Sequence, residues 1–187
     1  MKIKLKKFKI VKSTNDIALK LIKKNFTEPT LITSEMQTRG RGRVGKNWIS
    51  KKGNLFITIF FKLDQKNINF KHFSVLNAYL LKKLIEGLIS KNIKIKWPND
   101  LLFRKHKFCG ILQEVVQFNK FNFLIIGIGL NTNIAPENKN FQSTCLKNII
   151  KKKVNNQKVL KKILLAYEKF LYQTKKMTYL ELKKKYR

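Results

Sequence analysis

The chain has 187 residues, 42 Lys plus Arg against 10 Asp plus Glu, and a formal net charge of +32. This length indicates one domain, and a hydrophobic content of 43% excludes a largely disordered chain. No apolar run reaches the roughly 20 residues of a membrane-spanning helix, and the lysine-rich start lacks a signal peptide's apolar block. Two cysteines and two histidines form neither a disulfide framework nor a metal cluster, so we expect a cytoplasmic protein with no membrane partner.

The positive charge has two explanations. Lysine supplies 37 of the 42 cationic residues, and Lys, Asn and Ile, which all have A/T-rich codons, are abundant together, as compositional drift would produce. A basic surface also attracts nucleic acid whatever its origin. Because the lysines are spread along the whole chain and no nucleic-acid-binding motif organises them, we expect no specific DNA partner.

The first half of the chain alternates predicted strands with one helix. Ser13 has the residue type of a helix N-cap, with Asp16 three positions later as its capping-box partner. Gly53 is expected to turn the chain before a buried strand. The predicted elements are strands at 3–11, 31–36 and 54–61 and a helix that begins after Ser13.

The second half is richer in helices. Pro98 is predicted to end a strand over 93–97, and Asn99-Asp100 to form an ordinary turn after it. A hairpin is expected around Asn119-Lys120. The predicted elements are helices at 70–90, 157–173 and 176–186 and hairpin strands at 107–118 and 121–130. Together the elements predict an α+β domain with a mixed sheet flanked by helices.

Three of the five arginines fall within five residues, in a segment that also holds three of the eight glycines. This segment, 39–48, is called the arginine–glycine loop below. Glycines at alternate positions allow close approach to a ligand, and guanidinium groups bind carboxylate or phosphate through paired hydrogen bonds. The alternative is a solvated basic hairpin loop. Trp48, at its end, could stack on a flat ring or pack in the core.

Two further motifs have ordinary explanations when taken alone. Lys-Trp-Pro-Asn-Asp at 96–100 could be a simple turn, and Lys107 after it could be a surface lysine or could point into a cleft. Gly-Ile-Gly-Leu-Asn-Thr-Asn at 127–133 lacks the third glycine and the strand–turn–helix context of a dinucleotide site. Its glycines could instead leave space for a ligand that Asn131 contacts.

Taken together and in this order, the motifs resemble the catalytic domain of the biotin–protein ligases. The resemblance runs from about Ser13 to Asn133 and continues more loosely through the terminal helices. It rests on Ser-Thr-Asn at 13–15, the stretch 35–48, Lys-Trp-Pro-Asn-Asp with Lys107 and Gly-Ile-Leu in 96–112, and Gly-Ile-Gly-Leu-Asn at 127–131. The family's loop usually ends Gly-Arg-x-Trp; here Lys46 replaces that arginine, which weakens a directional phosphate contact.

The resemblance implies a fold like that of class II aminoacyl-tRNA synthetases and one catalytic domain over 1–187. Its core motifs would lie in 13–133 and its C-terminal helices at about 157–186. We expect no N-terminal DNA-binding domain and no C-terminal β-barrel of the kinds that some family members carry. A homodimer remains open.

The implied activity is ATP-dependent attachment of biotin, through biotinyl-5′-AMP, to a lysine of the biotin carboxyl carrier protein of acetyl-CoA carboxylase, with Mg²⁺ accompanying ATP. Lys107 and Arg43 are the implied catalytic residues. The implied biotin-binding residues are Ser13, Thr14, Asn15, Gln37, Arg41, Gly42, Arg43 and Lys107. The implied ATP-binding residues are Lys46, Trp48, Asn99 and Asn131.

Two alternatives stay open. Lipoate or octanoate ligase-like acyltransferases are related in fold, but their Arg-Arg…Gly-Gly-Gly and His-Asp elements are absent from this sequence. The second alternative, a basic nucleic-acid-binding protein, is supported only by the net positive charge. Finally, because four cations repel one another within residues 37–47, we expect this segment to be mobile and open to solvent until an anionic ligand binds.

Overall fold

The computed structural model describes residues 1–63, 68–137 and 142–187. Within these ranges, the strands form one seven-stranded sheet in the order β1-β2-β3-β7-β6-β5-β4. The strands are β1 Lys4–Val11, β2 Thr30–Gln37, β3 Leu55–Lys62, β4 Lys94–Lys96, β5 Asp100–Phe103, β6 His106–Phe118 and β7 Phe121–Leu130. Neighbours β1 and β2 are parallel and the other neighbouring pairs are antiparallel. The predicted mixed sheet is therefore confirmed, and it is largely antiparallel.

The helices cover both faces of the sheet. They are α1 Thr14–Lys23, α2 Phe70–Ile89, α3 Leu146–Ile150, α4 Asn156–Thr174 and α5 Tyr179–Tyr186. α1 buries Ala18 and Ile22 on one face, whereas α2, α4 and α5 contribute to a larger core that lies on the other. In the described part of the chain, no helix is both long enough and apolar enough to cross a membrane.

β3 lies inside the sheet and serves both cores. Ile57, Ile59 and Phe61 point into the larger core, and Phe60 points towards α1. Because helices cover both faces of the sheet, the side chains on both sides of this strand are buried. That is why its sequence is apolar from Leu55 to Phe61 at every position except Thr58, instead of alternating.

Most of the predicted elements are confirmed. The hairpin turns at Asn119 and Lys120, which both have left-handed backbone angles (φ 45° and 64°). Gly53, at φ +105°, turns the chain before β3, and Gly87 lies within α2 without ending it.

The expected turn is present at residues 97–99, and Asp100, directly after it, begins β5, which pairs with both β4 and β6. Two local predictions were wrong. The last helix begins at Tyr179, where Thr178 and Glu181 form a capping box, and not at 176. Ser13 occupies the N-cap position of α1, but its side chain makes no capping hydrogen bond. The expected Ser13–Asp16 capping box is therefore absent, and Asp16 contacts Arg41 instead.

Candidate active site

A cavity lies where the start of α1, the end of β2 and the central parts of β6 and β7 meet. Distant segments supply its walls, because the sheet brings Gly127 of β7 between Thr58 of β3 and Leu112 of β6. Ten of the twelve predicted site residues line it: Ser13, Thr14, Asn15, Gln37, Arg41, Gly42, Arg43, Trp48, Asn99 and Lys107.

The other two predicted residues lie outside the lining. Lys46 is exposed at the tip of the arginine–glycine loop. Asn131 is buried, and its Nδ2 donates to the carbonyl of Thr144 at 3.2 Å. Asn131 thus holds the segment that follows β7 against the sheet. Their predicted ATP-binding roles stay predictions.

Buried polar side chains from α1 form one wall of the cavity. Thr14 and Asn15 are only 3% and 4% exposed. The Asn15 carboxamide lies against Gly127, where a Cβ would be 2.5 Å from Asn15 Oδ1. Glycine at 127 therefore creates the space for this side chain. Asn15 Oδ1 also lies 2.6 Å from the Thr58 hydroxyl, which donates to it.

Gln37, at the end of β2, is held by hydrogen bonds at both ends of its amide. Its Oε1 accepts from the backbone N–H of Thr14 at 2.8 Å and from the Thr14 hydroxyl at 3.0 Å. Its Nε2 donates to Ser50 Oγ at 2.9 Å. The amide is thereby fixed in one orientation in the cavity wall, as a recognition group must be.

Several glycines around the cavity lie so close to neighbouring atoms that no larger residue would fit. A Cβ at Gly40 would lie 2.5 Å from both Ser50 Oγ and the carbonyl oxygen of Trp48. The Trp48 ring in turn lies over the cross-strand pair Gly110 and Gly129, where a Cβ on either strand would collide with it. Trp48 therefore anchors the end of the arginine–glycine loop on a platform of two glycines.

Lys107 lies in a partly buried, charged corner of the cavity. Its Nζ is 2.8 Å from Asp100 Oδ1, and the two side chains are only 17% and 18% exposed. The ammonium also lies 5.1 Å from the centre of the Trp48 ring, within cation–π range. Lys107 is thus held in the cavity and is not an ordinary surface lysine.

A neighbouring thiol is kept neutral. Cys109 is fully buried, and this burial, reinforced by the carboxylate of Asp100, raises the pKa of its thiol to about 12 despite the opposing charge of Lys107. A neutral thiol is a poor nucleophile. Cys109 is therefore unsuited to forming a covalent intermediate.

The two central arginines have different partners. Arg41 forms ion pairs with Asp16 and Glu114. Arg43 donates from Nη1 to the neutral amide oxygen of Asn99 at 3.0 Å. Side chains of the loop thus contact the cavity wall, whereas residues 43–47 at its tip are exposed, and the expected mobility of the loop stays a prediction.

Sequence reasoning gave no site role to five residues that hold these side chains. Asp16 was assigned to a helix cap and Asp100 to a turn, whereas Ser50, Thr58 and Glu114 received no role. A usable signal was the scarcity of acidic residues, with 10 in the whole chain, two of which meet at Arg41. No cluster of three or more potential metal ligands occurs among residues 1–63, 68–137 and 142–187.

Known proteins share both the sequence and the fold. The bifunctional ligase/repressor BirA of Bacillus subtilis is 32% identical over 167 residues, which cover 86% of this chain and 51% of the relative. The biotin–[acetyl-CoA-carboxylase] ligase of Mycobacterium tuberculosis is 31% identical over 121 residues, covering 62% of this chain and 44% of the relative. The chain thus spans about half the length, or less, of these curated relatives.

A solved structure agrees closely. The biotin protein ligase of Aquifex aeolicus in complex with biotin and ATP superposes with a TM-score of 0.81 at 29% identity, covering 97% of this chain and 76% of the other. The model of the biotin/lipoate A/B protein ligase family matches residues 7–131, well over half of the chain. Sequence, fold and cavity agree, and the chain belongs to the biotin/lipoate A/B protein ligase family.

Proposed function

We propose that this chain carries the catalytic activity of a biotin–protein ligase, which condenses biotin with ATP and transfers the activated biotin to a lysine of a carrier protein. Family membership supports this activity, as does the likeness to a ligase that binds biotin and ATP. The M. tuberculosis relative is named for acetyl-CoA carboxylase, which makes the biotin carboxyl carrier protein of that enzyme the proposed acceptor.

The observation that carries the proposal is a buried polar wall in the same cavity as Lys107 and Arg43. Thr14, Asn15 and Gln37 supply fixed donors and acceptors there. The ureido ring of biotin has an N–H and C=O edge that such groups can satisfy. The dithiolane ring of lipoate and the alkyl chain of octanoate have no such edge, so they would gain no hydrogen bonds from this wall.

The first step joins two anions. A carboxylate oxygen of biotin attacks the α-phosphorus of ATP, a P–O bond to pyrophosphate breaks, and biotinyl-5′-AMP forms. Positive charge must reduce the repulsion between the reactants and stabilise the charge that develops. Lys107 and Arg43 both reach the cavity and serve this role in the proposal. Trp48 and Asn99, also in the lining, are proposed to contact the adenylate.

The second step transfers the acyl group. The amine of the carrier lysine attacks the carbonyl carbon of the mixed anhydride, the bond to the phosphate oxygen breaks, AMP leaves, and the nitrogen loses a proton. The arginine–glycine loop has the position to exclude water from the anhydride between the two steps. The proposal includes no covalent step on Cys109, because burial keeps its thiol neutral.

Mg²⁺ enters the proposal as part of the nucleotide substrate. This ion is usually bound by substrate phosphates with one or two carboxylates and several waters. The carboxylate of Asp100 is the one beside Lys107, and it is engaged in that ion pair. We therefore propose that ATP brings Mg²⁺ with it.

Exchange of radiolabelled pyrophosphate into ATP by the purified chain tests the proposal, because the first step is reversible. We expect exchange that depends on biotin and is not supported by lipoate or octanoate. No exchange with biotin would contradict the proposed activity. Equal exchange with lipoate would contradict the substrate.

A further inference from the structure

The side chain of Arg41 is held by two carboxylates of the protein. Its Nη1 lies 3.2 Å from Asp16 Oδ1 on α1, and its Nη2 donates to Glu114 Oε1 on β6. Two negative charges thus surround one guanidinium, which is only partly exposed. Arg41 is therefore neutralised by the protein itself, whereas Arg43 has no carboxylate partner in the described part of the chain.

Glu114 connects Arg41 to the wall of the cavity. Its second carboxylate oxygen, Oε2, accepts from Asn15 Nδ2 at 2.8 Å. Asn15 is in turn fixed by Thr58 and by its contact with Gly127. One carboxylate therefore contacts both the arginine–glycine loop and a proposed biotin-binding side chain.

The network continues to the other end of the same loop. The hydroxyl oxygens of Thr58 and Thr14 are 2.8 Å apart, and the backbone N–H of Thr14 donates to Gln37 Oε1. Gln37 donates to Ser50 Oγ, and the Ser50 hydroxyl donates to the carbonyl of Trp48 at 3.0 Å. Arg41, near the start of the loop, and Trp48, at its end, are thus joined through the cavity wall.

The closed loop leaves little room beneath it. The cavity has a volume of about 60 Å³, well below the roughly 300 Å³ at the small end for ligand pockets. A ligand the size of biotin therefore enters only if the loop or Trp48 moves. The ion pairs of Arg41 with Asp16 and Glu114 must break or rearrange for the loop to move, so their strength sets how readily it opens.

We propose that Glu114 and Asp16 are positioning residues that latch the arginine–glycine loop over the cavity through Arg41. Glu114 also links the loop to Asn15. The effect of this latch on biotin binding rests on the proposed function, whereas the latch itself can be tested without it. The two arginines then have different roles: Arg41 holds the loop, and Arg43 is available to contact the anionic ligand.

Amide hydrogen exchange of the ligand-free chain, read on peptides that cover residues 38–48, tests the latch. Glu114→Gln removes one charge and can satisfy only one of its two partners, and Asp16→Asn removes the other charge. We expect each variant to exchange at least tenfold faster in this segment, with unchanged exchange in β3 and β7. Glu35→Gln is the matched control, because Glu35 is exposed and its ion pair with Lys52 is long, at 3.9 Å.

A double variant separates a latch from a general structural role. Arg41→Met already removes the ion pairs that hold the loop. Adding Glu114→Gln to this variant should therefore change the amide hydrogen-exchange rate of residues 38–48 less than twofold. Additive acceleration would contradict the latch through Arg41. So would wild-type exchange in both single variants. If Glu114→Gln does not fold, Asp16→Asn decides alone, because it leaves the bond between Glu114 and Asn15 intact.

The readout is independent of activity. If the wild-type chain shows no biotin-dependent pyrophosphate exchange, the proposed function fails and the hydrogen-exchange result still stands. If the chain is active but the half-saturating biotin concentration is unchanged in Glu114→Gln, the link from Glu114 to Asn15 is contradicted. We expect that concentration to rise at least fivefold, with a smaller change in the maximal rate.

Discussion

The ammonium of Lys107 and the carboxylate of Asp100 form an ion pair of 2.8 Å inside the candidate active site. The pair holds the lysine Nζ beside the Trp48 ring, so the charge is in place before any substrate binds. Charge that is fixed in advance costs no reorganisation during the reaction, which is the physical basis of electrostatic catalysis.

Lys107→Ala should lower biotin-dependent pyrophosphate exchange at least a hundredfold, about 3 kcal/mol of transition-state stabilisation. The substitution also leaves Asp100 without this partner and lowers stability, so the rate is measured where circular dichroism shows the variant folded. Lys94→Ala, at an exposed position of β4, is the control and should keep wild-type activity. A rate within a fewfold of wild type for Lys107→Ala would remove Lys107 from the mechanism.

Gly127→Ala and Gly87→Ala form a matched pair of substitutions. A methyl group at 127 meets Asn15 at 2.5 Å, whereas at 87 it meets nothing within 4 Å. We expect Gly127→Ala to lower the free energy of unfolding by about 1–3 kcal/mol and to weaken biotin binding. Gly87→Ala lies within α2 and should raise stability by roughly 0.5–1 kcal/mol. Urea denaturation measures both, and an equal effect of the two changes would contradict the packing of Asn15 on Gly127.

The thiol of Cys109 should resist alkylation. Its pKa is raised to about 12 by burial, so at pH 8 it is protonated as well as inaccessible. We expect iodoacetamide to modify it at least about a hundredfold more slowly in the folded chain than in urea, because the thiolate is the reactive form. Peptide mass spectrometry gives both rates. Rapid modification in the native chain would place Cys109 in reach of the cavity and reopen a covalent mechanism.

The net charge of +32 should act on the carrier protein more than on adenylation. Long-range attraction mainly increases the rate of encounter and is screened by salt. Raising salt should therefore slow transfer to an acidic carrier domain more than it slows pyrophosphate exchange with biotin. An equal salt effect on both reactions would contradict this view. Sequence-selective DNA binding that survives about 0.2 M salt would instead support the nucleic-acid alternative.

Periodicity in the sequence predicted the elements whose structure depends on local pattern. The apolar run of β3, the helical spacing of α2 and the turn at Asn119-Lys120 are each confirmed. β5 and α3 were missed because their short sequences, Asp-Leu-Leu-Phe and Leu-Lys-Asn-Ile-Ile, show neither alternation nor a full helical repeat. β5 begins directly after the expected turn, where pairing with β4 and β6 satisfies its backbone groups.

The sequence by itself determined which residue types meet in the candidate site. The family resemblance that these motifs carry, and not their spacing alone, identified ten residues that line one cavity. Only the tertiary structure decided which charges are paired. Arg41 meets Asp16 from 25 positions away and Glu114 from 73, and pattern alone specifies no such contact. In a loop that looks self-repelling in the sequence, the fold thereby pairs one arginine with two of the chain's few carboxylates.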